Sequence, residues 1–194
     1  MQVLSNSIQV VHCLLKEVLS DAQIIVDATA GNGYDTLFLA QNASSKAHIY
    51  AFDIQKKAIM NAKERILNNE HSLKVPLDKI QFICDSHEKI DEYVQNPIDV
   101  IIFNLGYLPG GSHEFTTKNE ITMRTIKKCV SKLKINGHLA IVMYPGHQEG
   151  LKEYQAIELW TKNLAKNLFT VGWYKMINHN LNAPTLCWIE KVGE

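Results

Sequence analysis

Apolar residues along this chain fall into two alternating regimes. Short continuous runs bounded by turn residues alternate with longer stretches whose apolar positions recur every three or four residues. Ile8, Val11, Leu15, Val18 and Leu19 share one face of a helix, with Ser7 placed to cap it. Residues 23–28 read as a strand and residues 35–41 as a helix. "AHIYAFD" is a short strand ending at Asp53, followed by the amphipathic helix "QKKAIMNAKERILNNE". "IQFICD" is a strand ending at Asp85, and "HEKIDEYVQ" is a short helix. "IDVIIFNLG" is a buried strand that runs into "GYLPGGSH". The spacing then predicts a helix over 117–133, stopped at Asn136-Gly137 in the manner of a helix C-cap. "HLAIVMY" is the next strand, "PGHQEG" a turn and "LKEYQAIELWTKNL" a helix. "FTVGWYKMI" and "TLCWIEKV" form an antiparallel pair joined by "NHNLNAP".

Sustained strand–helix alternation predicts an α/β fold with a mostly parallel sheet, closed by a C-terminal antiparallel strand pair. With no linker, repeat or low-complexity segment, residues 1–194 are expected to form one domain. Charge narrows the partners. Lys plus Arg and Asp plus Glu are each 20, so no whole-protein basic field exists, and nucleic acid would have to be met by a local patch. No signal-peptide pattern and no apolar run of bilayer length occurs, so a cytoplasmic protein without membrane association is expected. Cys13, Cys84, Cys129 and Cys187 lack metal-ligand or redox spacing and read as reduced core thiols. His147 and Glu149 have no further ligands at helix or strand spacing, so no metal is expected.

An open parallel sheet binds ligands at the carboxyl ends of its strands. Here the first core strand ends in Asp27 and the turn Gly31-Asn32-Gly33. The next ends in Asp53, the third in Asp85-Ser86, and the fourth in Asn104-Leu105-Gly106-Tyr107. The glycines allow a tight turn and close approach to backbone, and the following helix presents free N–H groups. Asp53, twenty residues after Gly33, suits a ribose hydroxyl pair. Asp85 or Ser86 suits an adenine amino group. The third glycine of a dinucleotide fingerprint is Thr36, and Asp27 beside a pyrophosphate would be repulsive. Both features disfavour a nicotinamide or flavin dinucleotide. An adenosine with a cationic amino-acid tail fits, namely S-adenosylmethionine, with Asp27 receiving the amino group.

Asn104 carries an acceptor and a donor, so it can hold a substrate amine and aim its lone pair at a methyl group. Tyr107 can stack on a ring or line the pocket. No cysteine neighbours this segment, which disfavours thiolate addition to a pyrimidine and favours an amine or hydroxyl nucleophile. His113, His147 or water is available to take the proton. "YPGHQEG" and "NHNLNAP" are candidate pocket walls. Three basic groups are candidate RNA patches: Arg124, Lys127, Lys128, Lys132 and Lys134; Lys162, Lys166 and Lys175; and Lys56, Lys57, Lys63 and Arg65. A base would be presented from an unstacked loop or flipped out.

"DATAGNGYDTLFLA", "FNLGYLPGG" and "YPGHQEG" resemble blocks of the YtqB-like, or MnmM, family of class I S-adenosylmethionine-dependent methyltransferases, over nearly the whole chain. The resemblance implies a Rossmann-like class I methyltransferase fold with a seven-stranded sheet. It implies N-methylation of 5-aminomethyl-2-thiouridine at the wobble position of tRNA, and a homodimer. It assigns Asp27, Gly31, Asn32 and Gly33 to the first cofactor motif, Asp53 to the ribose, and Asp85-Ser86 to the adenine region. "NLGY" stands where many amine methyltransferases have Asn-Pro-Pro-Tyr. Asn104 and Tyr107 are retained, whereas Leu105 and Gly106 replace the prolines. Methylation of rRNA or of a small-molecule amine, and RNA binding without catalysis, are the competing readings.

Overall fold

The computed structural model describes residues 7–106, 119–179 and 183–194. In chain order the elements are α1 (Ser7–Leu19), β1 (Ile24–Asp27), α2 (Tyr34–Asn42), β2 (His48–Phe52), α3 (Lys56–Asn68), β3 (Ile80–Ile83) and α4 (Ile90–Tyr93). They continue with β4 (Ile98–Leu105), α5 (Asn119–Lys132), β5 (Leu133–Met143), α6 (Gln148–Thr161), β6 (Phe169–Tyr174) and β7 (Thr185–Lys191). The strands form one seven-stranded sheet in the order β3-β2-β1-β4-β5-β7-β6. All pairings are parallel except those of β7, which runs antiparallel to both β5 and β6. This is the mostly parallel sheet with an antiparallel closing pair that the strand–helix alternation predicts, in the Rossmann-like class I methyltransferase arrangement that the family resemblance implies.

The apolar runs are continuous because the central strands are covered on both faces. All four residues of β1 are buried. In β4, Ile101 and Phe103 join Val26, Phe52 and Ile141 in one core layer, which includes Ile126 of α5 and Ile157 of α6. The alternate residues Val100 and Ile102 join Ile25 and Ile49 in the other layer, with Val11 and Leu15 of α1, Leu39 of α2 and Ile66 of α3. Successive side chains of a strand point to opposite faces, so one sequence run supplies both cores. The strand order reverses between β1 and β4, which opens a crevice at their carboxyl ends.

Three local expectations are corrected. The segment Asn136-Gly137 does not cap α5. That helix passes directly into β5 at Leu133, and Asn136 lies inside the strand at φ 62°. Ile98 pairs with Leu133 and Val100 with His138, so extra residues loop out of β5 as a bulge. A Cβ on Gly137 would stand 2.9 Å from the carbonyl oxygens of Ile98 and Lys134, so the bulge needs glycine there. Second, "PGHQEG" is only half a turn. Gln148 already opens α6, and His147 Nδ1 caps it by accepting from the Gly150 N–H at 3.0 Å. Third, Cys129 and Cys187 are buried thiols, but Cys13 and Cys84 are exposed, because their positions fall on the outer sides of α1 and of the β3 edge.

Between α5 and α6 lies a buried acid. Glu153 is 5% exposed and accepts a hydrogen bond from Thr122 Oγ1 at 3.0 Å. Burial pushes its carboxyl up to about 7, with Glu149 adding to the shift. Because the folded state holds this proton more tightly, its contribution falls as pH rises from about 4.5 to 7. Glu153→Gln is therefore expected to be more stable than wild type at pH 8, by about 1–3 kcal/mol. The gain should vanish near pH 4.5. Denaturant melts at the two pH values check it, and an equal difference at both would rule out the ionisation as its cause.

Candidate active site

The turn after β1 is built from below by carboxylates. Asp27 has no exposed surface. Its Oδ1 accepts from the Thr29 N–H at 3.1 Å and its Oδ2 from Thr36 Oγ1 at 2.6 Å. Burial, reinforced by Asp35, pushes its carboxyl up to about 7. Asp27 thus shapes the turn from beneath rather than lining its open side. Thr36, which replaces the third fingerprint glycine, is fully buried and supplies one of these bonds.

Gly31 and Gly33 have φ of 50° and 78°, the left-handed region that glycine enters without steric cost. Gly33 has a second constraint. A Cβ there would lie 2.6 Å from Ala62 Cα, so α3 packs against bare backbone. The Gly31 N–H donates to Asp53 Oδ2 at 2.9 Å, and Asp53 Oδ1 accepts from the Gln55 N–H at 2.8 Å. The ends of β1 and β2 are therefore locked together, with Asp53 half-buried at the edge. The Asn32 side chain turns towards α3, where its Oδ1 accepts from Asn61 Nδ2 and its carbonyl from Arg65 Nε. A cleft of about 300 Å³ lined by Asn32, Asn61, Glu64, Arg65, Asn68 and Asn69 lies on that side, and no strand-end residue lines it.

After β3, Asp85 Oδ1 accepts from the Ser86 N–H, and Oδ2 accepts from Lys89 Nζ and the Tyr93 hydroxyl, both at 3.0 Å. The Lys89 bond foremost, then that of the Ser86 N–H, holds the Asp85 carboxyl below the usual range. Ser86 Oγ accepts from the Glu88 N–H and caps the next turn. Both side chains order the segment that follows. Beside them His87 is buried, with Nδ1 at 3.1 Å from the Ala28 carbonyl, its ring edge-on to Phe103, and Nε2 unbonded within the described residues. Burial lowers its pKa, so a neutral imidazole is favoured.

Asn104 gathers four segments of chain. Its N–H donates to Thr29 Oγ1 at 2.7 Å, tying the end of β4 to the loop after β1. Its Nδ2 donates to Asp35 Oδ2 at 3.0 Å, in the first turn of α2. Asp35 Oδ1 lies 2.8 Å from His12 Nε2 of α1, whose ring stacks on Phe38 at 3.8 Å. Tyr144 lies just past β5, and burial, with Asp35 adding to it, raises the pKa of its hydroxyl. A Cβ on Gly106 would come 3.1 Å from the Tyr144 ring, so the residue in place of a proline lets this ring close over the strand end. Asp27, Gly31, Asp53 and Asn104 thus converge on one edge, as the strand register requires. Tyr107, His113 and the glycine-rich "GYLPGGSH" beyond Gly106 lie outside the described residues.

His12, Thr29, Asp35 and His87 carry no assigned role in the sequence pattern, and Tyr144 enters it only as the first residue of the candidate pocket wall "YPGHQEG". Asp35 alone leaves a signal, as an acid in the first turn of a helix that starts at a glycine break. His12 leaves none, because it is far away in sequence and sits on a helix whose apolar spacing explains itself.

Two of the three basic groups are partly paired with acids. Arg124 pairs with Glu88 at 2.8 Å, Lys128 and Lys132 with Asp91, and Lys134, which lies on β5 rather than the helix, with Asp99. Lys162 and Lys175 both meet Glu158. The third group differs. Lys56, Lys57 and Lys63 form no ion pair among the described residues, and Arg65 stacks at 3.5 Å on the ring of Tyr34, which is 64% exposed. Among the described residues no cluster of three or more His, Cys, Asp or Glu is placed to hold a metal, and no helix is long and apolar enough to cross a membrane.

Known proteins share this arrangement. A family model described as "Putative rRNA methylase" matches residues 49–190. The crystal structure of a "putative rRNA-methylase" from Clostridium thermocellum is 32% identical, superposes with a TM-score of 0.89, and covers 97% of this chain and 98% of its own. A "putative methyltransferase" of Streptococcus mutans crystallised with S-adenosylhomocysteine (SAH) is 37% identical, with a TM-score of 0.84 and coverage of 97% and 99%. A chloroplastic tRNA (mnm(5)s(2)U34)-methyltransferase of Arabidopsis thaliana is 30% identical over 190 residues, 94% of this chain and 68% of that protein. With its seven-stranded sheet, its glycine turn locked to Asp53 and these relatives, the chain belongs to the rRNA methylase family of class I S-adenosylmethionine-dependent methyltransferases.

Proposed function

We propose that this protein transfers a methyl group from S-adenosylmethionine to the exocyclic amine of 5-aminomethyl-2-thiouridine at the tRNA wobble position. The residues at the edge fit the cofactor. Gly31 and Gly33 give a backbone cradle free of Cβ atoms, and Asp53 offers carboxylate oxygens at the ribose position. Asp85-Ser86 borders the adenine region. Asn32 shapes the turn from the α3 side, and Asp27 holds it from below through Thr29 and Thr36. When bound, S-adenosylmethionine supplies an electrophilic methyl group on a sulfonium.

The observation that carries the chemistry is Asn104, whose Nδ2 is held by Asp35 at 3.0 Å at the end of β4. Its Oδ1 accepts a hydrogen bond from the neutral substrate amine and so turns the nitrogen lone pair towards the methyl group. Ordering of this kind supplies much of the rate of a group transfer. The Tyr144 ring stands beside Gly106 at the end of the strand, and Tyr107 is assigned to the substrate pocket. His147 is an unsuitable base, because its Nδ1 already caps α6. Water takes the proton. The choice of a wobble uridine is supported by the name of the Arabidopsis relative. Lys56, Lys57 and Lys63 offer charge to a phosphate backbone.

The test supplies methyl-labelled S-adenosylmethionine to the protein with tRNA carrying the aminomethyl intermediate, and separately with rRNA. Nucleoside analysis should place the label in 5-methylaminomethyl-2-thiouridine. Label in rRNA alone would transfer the assignment to rRNA, which the description of the family favours.

A further inference from the structure

We propose that Asp35, braced by His12, is a positioning residue that sets which way the Asn104 amide faces. This rests on the methyl-transfer reading and names a part of the machinery that reading lacks.

A carboxylate has no hydrogen to give, so the amide atom facing Asp35 Oδ2 must be Nδ2. With Nδ2 turned to Asp35, Oδ1 is left as the acceptor face. That is the face an amine N–H needs. If the amide were flipped, it would present a donor to the lone pair that must attack, and the reaction would be blocked.

Asp35 is itself fixed. It is 7% exposed, stands in the first turn of α2, and its other oxygen is 2.8 Å from His12 Nε2. The His12 ring is flat against Phe38, 7° from parallel, so it cannot swing away without losing that contact. A chain of bonds therefore runs from α1 through α2 to the end of β4. It uses side chains from distant parts of the sequence, and none of them except Asn104 needs to touch substrate.

The test is a double-mutant cycle. Asp35→Asn can present either amide face to Asn104, so the orientation is no longer imposed. It should lower kcat about 10- to 100-fold. SAH affinity, read by calorimetry, should stay within about threefold of wild type. In an Asn104→Ala background the same change should cost less than about threefold, because residues acting as a unit are non-additive. His12→Ala, at a site where the side chain is 25% exposed, should show a smaller loss of kcat with the same non-additivity, and it serves if Asp35→Asn fails to fold. The side-chain amide protons of Asn104, identified by their loss in Asn104→Ala, should shift in the NMR spectra of both variants. Multiplicative losses, or amide signals that ignore Asp35 and His12, would overturn the proposal. A wild-type protein that labels no RNA, with amide signals that still respond, would sink the functional reading and leave the positioning intact.

Discussion

Asn104→Ala is expected to lower turnover about 10²- to 10³-fold while SAH binds within about threefold of wild type. The split follows from where the residue stands. Its backbone N–H is bonded to Thr29 Oγ1, and alanine keeps that bond, so the junction between β1 and β4 survives. The proposed cofactor cradle is Gly31, Gly33 and Asp53, none of which bonds the Asn104 side chain. What is lost is the amide that orients the amine. Single-turnover rates with labelled S-adenosylmethionine, together with calorimetry on SAH, measure the two halves. Equal losses in both would make Asn104 a cofactor or folding residue and would remove the chemical reading of the "NLGY" segment.

Gly33→Ala should damage both stability and cofactor binding. The new methyl group meets Ala62 Cα at 2.6 Å, and backbone on both sides leaves no flexible side chain to yield. The residue also has φ of 78°, which costs an L-residue about 1–2 kcal/mol. Overpacking adds about 1–3 kcal/mol. A total of about 2–5 kcal/mol corresponds to a fall in Tm on the order of 10 °C for a chain of this size. Relief requires α3 to move away, and Asp53 accepts from the N–H of Gln55, which caps that helix, so its bond to the Gly31 N–H would be lost as well. Thermal melts with and without SAH would show a lower Tm and little shift on adding ligand. A variant that melts like wild type would mean that α3 does not pack this closely.

Much of the fold is legible in the chain. Continuous apolar runs such as "DVIIF" can be satisfied only by strands covered on both faces, and helices of 3.6-residue period between them can cover those faces. Strand ends follow from where the runs stop, so the sequence alone places Asp27, Asp53, Asp85 and Asn104 on one edge of the sheet. The departures are local. Asn136-Gly137 has the same chemistry in a helix cap and in a strand bulge, since both require left-handed backbone. Only the pairing of Leu133 with Ile98 distinguishes them. The lysines of α5 have the spacing of an RNA-binding face, but Asp91 and Glu88 arrive from a different part of the chain and take up their charge.

By itself, then, the sequence determined the α/β class, the mostly parallel sheet with its antiparallel closing pair, and the residue types at the ligand edge, because periodicity and turn chemistry are short-range properties. Tertiary structure decided what each polar group faces. The sequence puts Asp27 at the open side of the turn, whereas it lies under it, bonded to Thr29 and Thr36. His12 and Asp35 stand on two helices far apart in the sequence and are bonded to each other behind Asn104. A hydrogen bond depends on ångström-scale approach between segments far apart in the chain, and no local pattern encodes that distance.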